Sequence, residues 1–202
     1  MNEENKVSIG NPSGFLLYVF AMQVFLYCGI VWGLFSGDTY LLYGVVSLVC
    51  FPIYVIGGIM LCKRNGPYEA YIGNLYIMFG TLFAGIMGVA YVAYFLDGIF
   101  GWGLEPTFLG VPMIVGGVVL IPAMIPYRFA PWVEFTVWSI VVIWIVTGGI
   151  GFYMGGYFLF VVNMWLALIS GIGVTYLCMN EFLKMVGTKG LPMGKPIFKF
   201  PE

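Results

Sequence analysis

Residues able to do acid–base, nucleophilic or metal chemistry are few in this 202-residue chain, and they stand apart. Histidine is absent, and the four cysteines, Cys28, Cys50, Cys62 and Cys178, show no C-x-x-C spacing. Metal and redox sites need clustered ligands, so no metal and no cofactor is expected, and the cysteines read as apolar filler. Three carboxylates, Glu69, Glu134 and Glu181, fall near the ends of long apolar runs whose middles are uncharged. No nucleophile has a base beside it, which disfavours an enzyme. The apolar runs do carry neutral hydrogen-bonding groups, among them Gln23, Tyr54, Asn74, Tyr76, Thr81 and Asn163. Groups of this kind recognise a small solute or bond a neighbouring helix; they do not break covalent bonds.

The elements that must position them are membrane helices. The sequence is 61% hydrophobic and 8% charged, against roughly 25% charged residues in an ordinary soluble domain. Too little polar surface exists to clothe a soluble globule, so lipid is the expected solvent. A spanning helix takes about 20 mostly apolar residues, and Gly, Pro and charge cut the chain into six such runs: 13–35, 40–61, 70–96, 108–126, 132–152 and 156–183. No run alternates as a membrane-barrel strand does. The fold expected is therefore all-α, one six-helix transmembrane domain over 1–202. The polar stretch from Met1 to Asn11 lacks the basic start of a cleaved signal, so the first helix is expected to be retained.

Charge sets the orientation. Six spans put the N-terminus, the second and fourth loops and the C-terminus on one side, and all eight basic residues fall there: Lys6, Lys63, Arg64, Arg128, Lys184, Lys189, Lys195 and Lys199. The remaining loops hold only Asp38, Asp97 and Glu105. Basic residues flanking spans stay cytoplasmic, which predicts both ends inside a cytoplasmic-type membrane, with tails 1–12 and 187–202 in the cytoplasm. Lysines of the second tail are expected to lie against anionic headgroups. No nucleic-acid partner is expected. Helices in lipid associate where small residues let backbones approach, as at Gly80, Ala84 and Gly88 and at Ala167 and Gly171. Pro52, Pro122 and Pro126 each remove a backbone donor and are expected to bend their helices.

Three stretches resemble the acetate uptake transporter family, which includes bacterial succinate-acetate permeases and fungal acetate and ammonia export proteins. Asn11-Pro12-Ser13-Gly14-Phe15 is similar to that family's Asn-Pro-Ala-Pro-Leu signature. The run from Gly58 through Lys63-Arg64-Asn65-Gly66 to Tyr76 and Phe79 resembles its glycine, basic pair, turn and Tyr-Gly-x-Phe. Trp165, Gly171, the segment from Tyr176 to Glu181, and Leu191-Pro192-Met193-Gly194 resemble its last helix and Leu-Pro-x-Gly tail. The resemblance implies a homo-hexamer in which each subunit carries its own narrow pathway. It implies a hydrophobic constriction at Phe20, Tyr76 and Ile140, with Asn11, Gln23, Tyr54, Asn74 and Thr81 along the route.

Departures from the family bear on the cargo. Gly14 replaces a proline, Cys28-Gly29-Ile30-Val31 replaces a polar Asn-x-His-Asn stretch, and Tyr54 stands where the family has glutamine. The reading is a route for a small monocarboxylate such as acetate, with succinate as a further cargo, crossing as the acid form or by a proton-linked step. A small neutral solute (urea, ammonia, an alcohol) is the alternative cargo. A non-transporting membrane scaffold for a partner enzyme is the alternative role.

Overall fold

The computed structural model describes residues 10–35, 39–64 and 67–198. Lys6, Lys199 and the breaks at Ser36 to Asp38 and at Asn65-Gly66 lie outside the described residues. Every regular element among the described residues is helical: α1 (Ser13–Val31), α2 (Thr39–Cys62), α3 (Pro67–Phe79), α4 (Met87–Phe100), α5 (Gly110–Tyr127), α6 (Trp132–Met154) and α7 (Tyr157–Met185). A π-helical stretch, Gly80–Ile86, joins α3 to α4 without a break, so the seven helices form six spans long and apolar enough to cross a membrane. The chain is a multi-pass membrane protein.

The spans close a ring in chain order. α1 packs on α2, α2 on α3 and α4, the π stretch on α5, α5 on α6, α6 on α7, and α7 on α1. Lipid does not drive this association, so close contact must. Gly58 and Gly73 touch so nearly that a Cβ on either would lie 2.6 or 2.5 Å from the other's carbonyl oxygen. Gly44 and Gly88 make the same approach at the far end of α2, at 2.9 and 3.1 Å, and Gly110 and Gly149 join α5 to α6 at 2.7 and 3.0 Å. Gly80 leaves room for Tyr54, and Gly171 for Phe25. The small-residue rows thus sit at interfaces, as their sequence predicts.

Some bounds differ from the sequence reading. α1 ends at Val31, where Gly33 takes a positive φ of 64° and Phe35 folds back on Gly29. The third span runs from Pro67 to Phe100 because the π stretch continues it. Such wide turns inside α-helices are frequent at functional sites. Helix α2 continues through Pro52, and α5 through Pro122 and Pro126.

The segment after α7 does not trail away. Tyr176 donates to the carbonyl of Pro192 (2.8 Å), and Asn180 accepts from the Leu191 amide (2.9 Å). The first turn of α6 has unpaired amides, as every helix start does; those of Trp132 and Val133 donate to Lys195 and Met193. Gly194, at φ 74°, packs directly under the Trp132 indole, where no side chain fits. The tail is therefore a strap across the end of the bundle that carries Lys63, Arg64, Arg128 and Lys184, the basic face.

Candidate permeation route

Two cavities of similar size open at opposite ends of the helix ring. The one at the basic face measures about 220 Å³ and is lined by residues of α1, α2, α3, α5, α6, α7 and the strap, including Asn11, Glu69, Glu134, Glu181, Lys184 and Met193. At the other end about 230 Å³ is lined by Tyr27, Tyr40, Tyr91, Phe152, Leu159 and Asn163 among others. Between them lie two hollows of about 20 Å³ each. Tyr76, Tyr127 and Trp138 line both the basic-face cavity and its neighbouring hollow. Tyr27 and Tyr91 line both the far cavity and the other hollow.

Aromatic rings separate the two hollows. Phe20 meets Phe79 edge-on at 4.6 Å between centroids and stacks on Trp138 at 5.9 Å, and Phe79 meets Phe83 at 4.5 Å. These separations are those of favourable aromatic contact, so the rings hold one another across the ring of helices. Phe20 and Phe79 are 3% and 6% exposed, buried among their neighbours at this level.

A polar chain braces the same level. Tyr54 donates to Gln23 Oε1 (2.7 Å), and Gln23 Nε2 donates to Ser47 Oγ (3.2 Å). All three are buried. Tyr54 also stacks on Tyr76 at 6.3 Å. Farther along, Tyr27 donates to Asn163 Oδ1 (2.8 Å), and Asn163 Nδ2 donates to the Trp144 carbonyl (2.8 Å). Bonds between buried neutral partners tie α1 to α2 and to α7, and α7 to α6.

The residues expected on the route from sequence are therefore placed unequally. Phe20 lies at the aromatic block; Tyr76 lines its basic-face side, and Asn11 lines the cavity mouth while accepting from the Ser13 amide (3.0 Å). Gln23 and Tyr54 stand just behind the block, bonded to each other. Asn74 and Thr81 are exposed on the outer face and donate to the carbonyls of Ala70 (2.9 Å) and Ile77 (2.8 Å) of their own helix, and neither lines any of the four cavities. Ile140 is half-buried and lines none of the four cavities; Trp138, two residues earlier, packs on Phe20 instead. A helical rotation of two residues turns a side chain through about 200°, which is why the neighbour of the expected residue occupies the position. Trp138, Phe79 and Trp144 are residues the sequence reading did not single out for the route; Phe79 entered it only as part of a motif, and only their aromatic character hinted at the two tryptophans.

No protein-family profile and no curated protein matches the sequence. Among solved structures the fold is similar to that of the bacterial acetate channel SatP, with a TM-score of 0.73 and 20% sequence identity, over 93% of this chain and 100% of that one.

Proposed function

We propose that this chain forms a passage for a small monocarboxylate such as acetate, which crosses chiefly in its protonated form. The observation that carries the reading is the succession of two end cavities and two hollows along one helix ring, interrupted by a single aromatic block, in a fold shared with an acetate channel. Phe20, Phe79 and Trp138 set the size limit, and the Gln23, Tyr54 and Ser47 chain holds them in place.

Charge favours the acid form. The basic-face cavity presents Glu69, Glu134 and Glu181 against Lys184, whose ammonium is already engaged with Glu181 at 2.9 Å. Even a side-chain charge costs about 2.5–3.5 kcal/mol at a bilayer centre on insertion scales, and no described Lys or Arg lines the two hollows to offset it. Protonation removes that cost. The same carboxylates also favour the second reading, a small neutral solute such as urea or ammonia.

Orientation and assembly complete the proposal. The basic face is read as cytoplasmic in a cytoplasmic-type membrane. Asn74 and Thr81, with the apolar side chains around them, face outward on a surface read as a contact between subunits of a homo-hexamer.

Uptake of labelled acetate into liposomes, at fixed total acetate and pH 6 and pH 8, tests the route. A carboxylic acid titrating near the reference glutamate value of about 4.3 loses roughly a hundredfold in acid form between these pH values. An acid-form route slows in proportion; an anion route is nearly flat. Uptake no faster than in empty vesicles, with rapid urea-driven swelling, would replace the carboxylate reading by the neutral-solute one.

A further inference from the structure

A residue that lines the hollow nearest the far cavity carries a buried donor that the protein itself leaves unanswered. Trp144 is 6% exposed, and its indole nitrogen has no hydrogen-bond partner within the protein. Trp144 lines the 20 Å³ hollow together with Tyr27, Tyr43, Tyr91 and Met113. Buried polar groups are nearly always paired, and an exception calls for an explanation. The indole is also held firmly: Tyr27 packs edge-on against it at 5.5 Å, and the Trp144 carbonyl accepts from Asn163 Nδ2 at 2.8 Å. Asn163 in turn accepts from Tyr27 at 2.8 Å, so one closed set of contacts fixes the donor.

We infer that Trp144 forms an acceptor-selective subsite in which its indole N–H donates to an oxygen of the permeating solute. The hollow suits one oxygen atom, since about 10–15 Å³ of this measure accommodates one water. Tyr27 and Tyr91 line both this hollow and the far cavity. On this inference a solute whose body rests in the far cavity offers the indole a single carboxyl or carbonyl oxygen. Indole nitrogen donates and cannot accept. An ammonium ion, which has no acceptor, gains nothing here, whereas a carboxylic acid, a carboxylate or urea does. The subsite thus rests on the reading of these cavities as a permeation route, and it adds to the size limit of the aromatic block a chemical selection that the block cannot supply.

The test uses the full chain in nanodiscs with ¹⁵N-labelled tryptophan. Six indole resonances are expected from the six tryptophans, and the one missing in Trp144→Phe identifies residue 144. Sodium acetate at pH 6 should shift that resonance saturably, urea should shift it too, and ammonium chloride should leave it in place. Uptake by Trp144→Phe should show a half-saturation about two- to tenfold higher, the loss of one hydrogen bond. The other five resonances, unchanged in the variant, verify that it folds. A Trp144 resonance unmoved by both acetate and urea overturns the subsite, leaving a water as the partner of the indole. If the wild-type protein takes up no acetate while the resonance still responds, the subsite stands and the monocarboxylate passage falls.

Discussion

Replacing Tyr54 by Phe removes one oxygen atom and tests whether Gln23 and Tyr54 serve each other or the solute. The hydroxyl donates to Gln23 Oε1 at 2.7 Å, with Tyr54 0% and Gln23 4% exposed, so no solvent replaces the lost donor. In a water-soluble protein an orphaned buried acceptor costs about 1–3 kcal/mol. Within bilayers the coupling measured for such bonds averages about 0.6 kcal/mol and reaches about 1.7, because the membrane-embedded unfolded chain also finds partners. The bilayer range governs here, which corresponds to roughly three- to eighteenfold in the unfolding constant. A double-mutant cycle of Tyr54→Phe with Gln23→Leu, followed by unfolding in mixed micelles with increasing denaturing detergent, isolates the term. The second substitution also removes the Gln23 donor from Ser47 Oγ, but that hydroxyl keeps its bond to the Tyr43 side chain. The cycle should return a coupling energy inside the bilayer range, and acetate half-saturation should change less than twofold. A coupling below about 0.3 kcal/mol, within ordinary additivity error, would refute the mutual bond. A large change in half-saturation would move both residues back onto the route.

Three further outcomes follow from the geometry. Trp138→Ala should open the aromatic block and admit butyrate at a rate at least severalfold above wild type, whereas Ile140→Ala, away from the cavities, should leave the ratio of butyrate to acetate uptake unchanged. Gly194→Ala places a Cβ against the Trp132 indole at φ 74°, so the strap should detach and the Lys189–Gly190 bond should be cut by trypsin in micelles much faster than in the parent. In sealed membranes a cysteine placed at Lys63 or Arg128 should react with an impermeant maleimide only from the cytoplasmic side, and one placed at Glu105 only from the opposite side; the reverse pattern overturns the orientation.

The six spans were legible because lipid solvent imposes one simple rule, about twenty apolar residues between polar breaks, and the chain obeys it six times. The faces of those spans were not. In a soluble helix the core side is apolar and the water side polar, but here lipid and core are both apolar, so Asn74 and Thr81 gave no sign that they point outward. Each satisfies its hydrogen bonds on its own helix, a solution that leaves no trace in spacing. Ile140 and Trp138 differ by two positions, and only the rotation of α6 against α1 decides which of them meets Phe20. The π stretch was equally hidden, since Gly80–Ile86 has the composition of any apolar helix. By contrast Phe20, Tyr76 and Asn11 came to light through motif resemblance, not periodicity. The strap was read as a surface tail because its pairing is to backbone amides of α6, for which a sequence of glycine, proline and lysine carries no signature.

The paired glycine contacts carry a mechanical consequence. Spans two and three meet backbone to backbone near both ends, through Gly58 with Gly73 and Gly44 with Gly88, and spans four and five are fastened through Gly110 and Gly149. With no side chains between them to change rotamer, each fastened pair behaves as a plank, stiff against sliding. Helices α1 and α7 join the planks through side chains, exemplified by Leu16 of α1 against Gly57 and by Val137 of α6 against Gly173 of α7. Any sliding within the chain is therefore expected at α1 and α7 and in the rings they carry. In the proposed passage Phe20, mounted on α1 and facing Phe79 on one plank and Trp138 on the other, serves as the latch between two jambs.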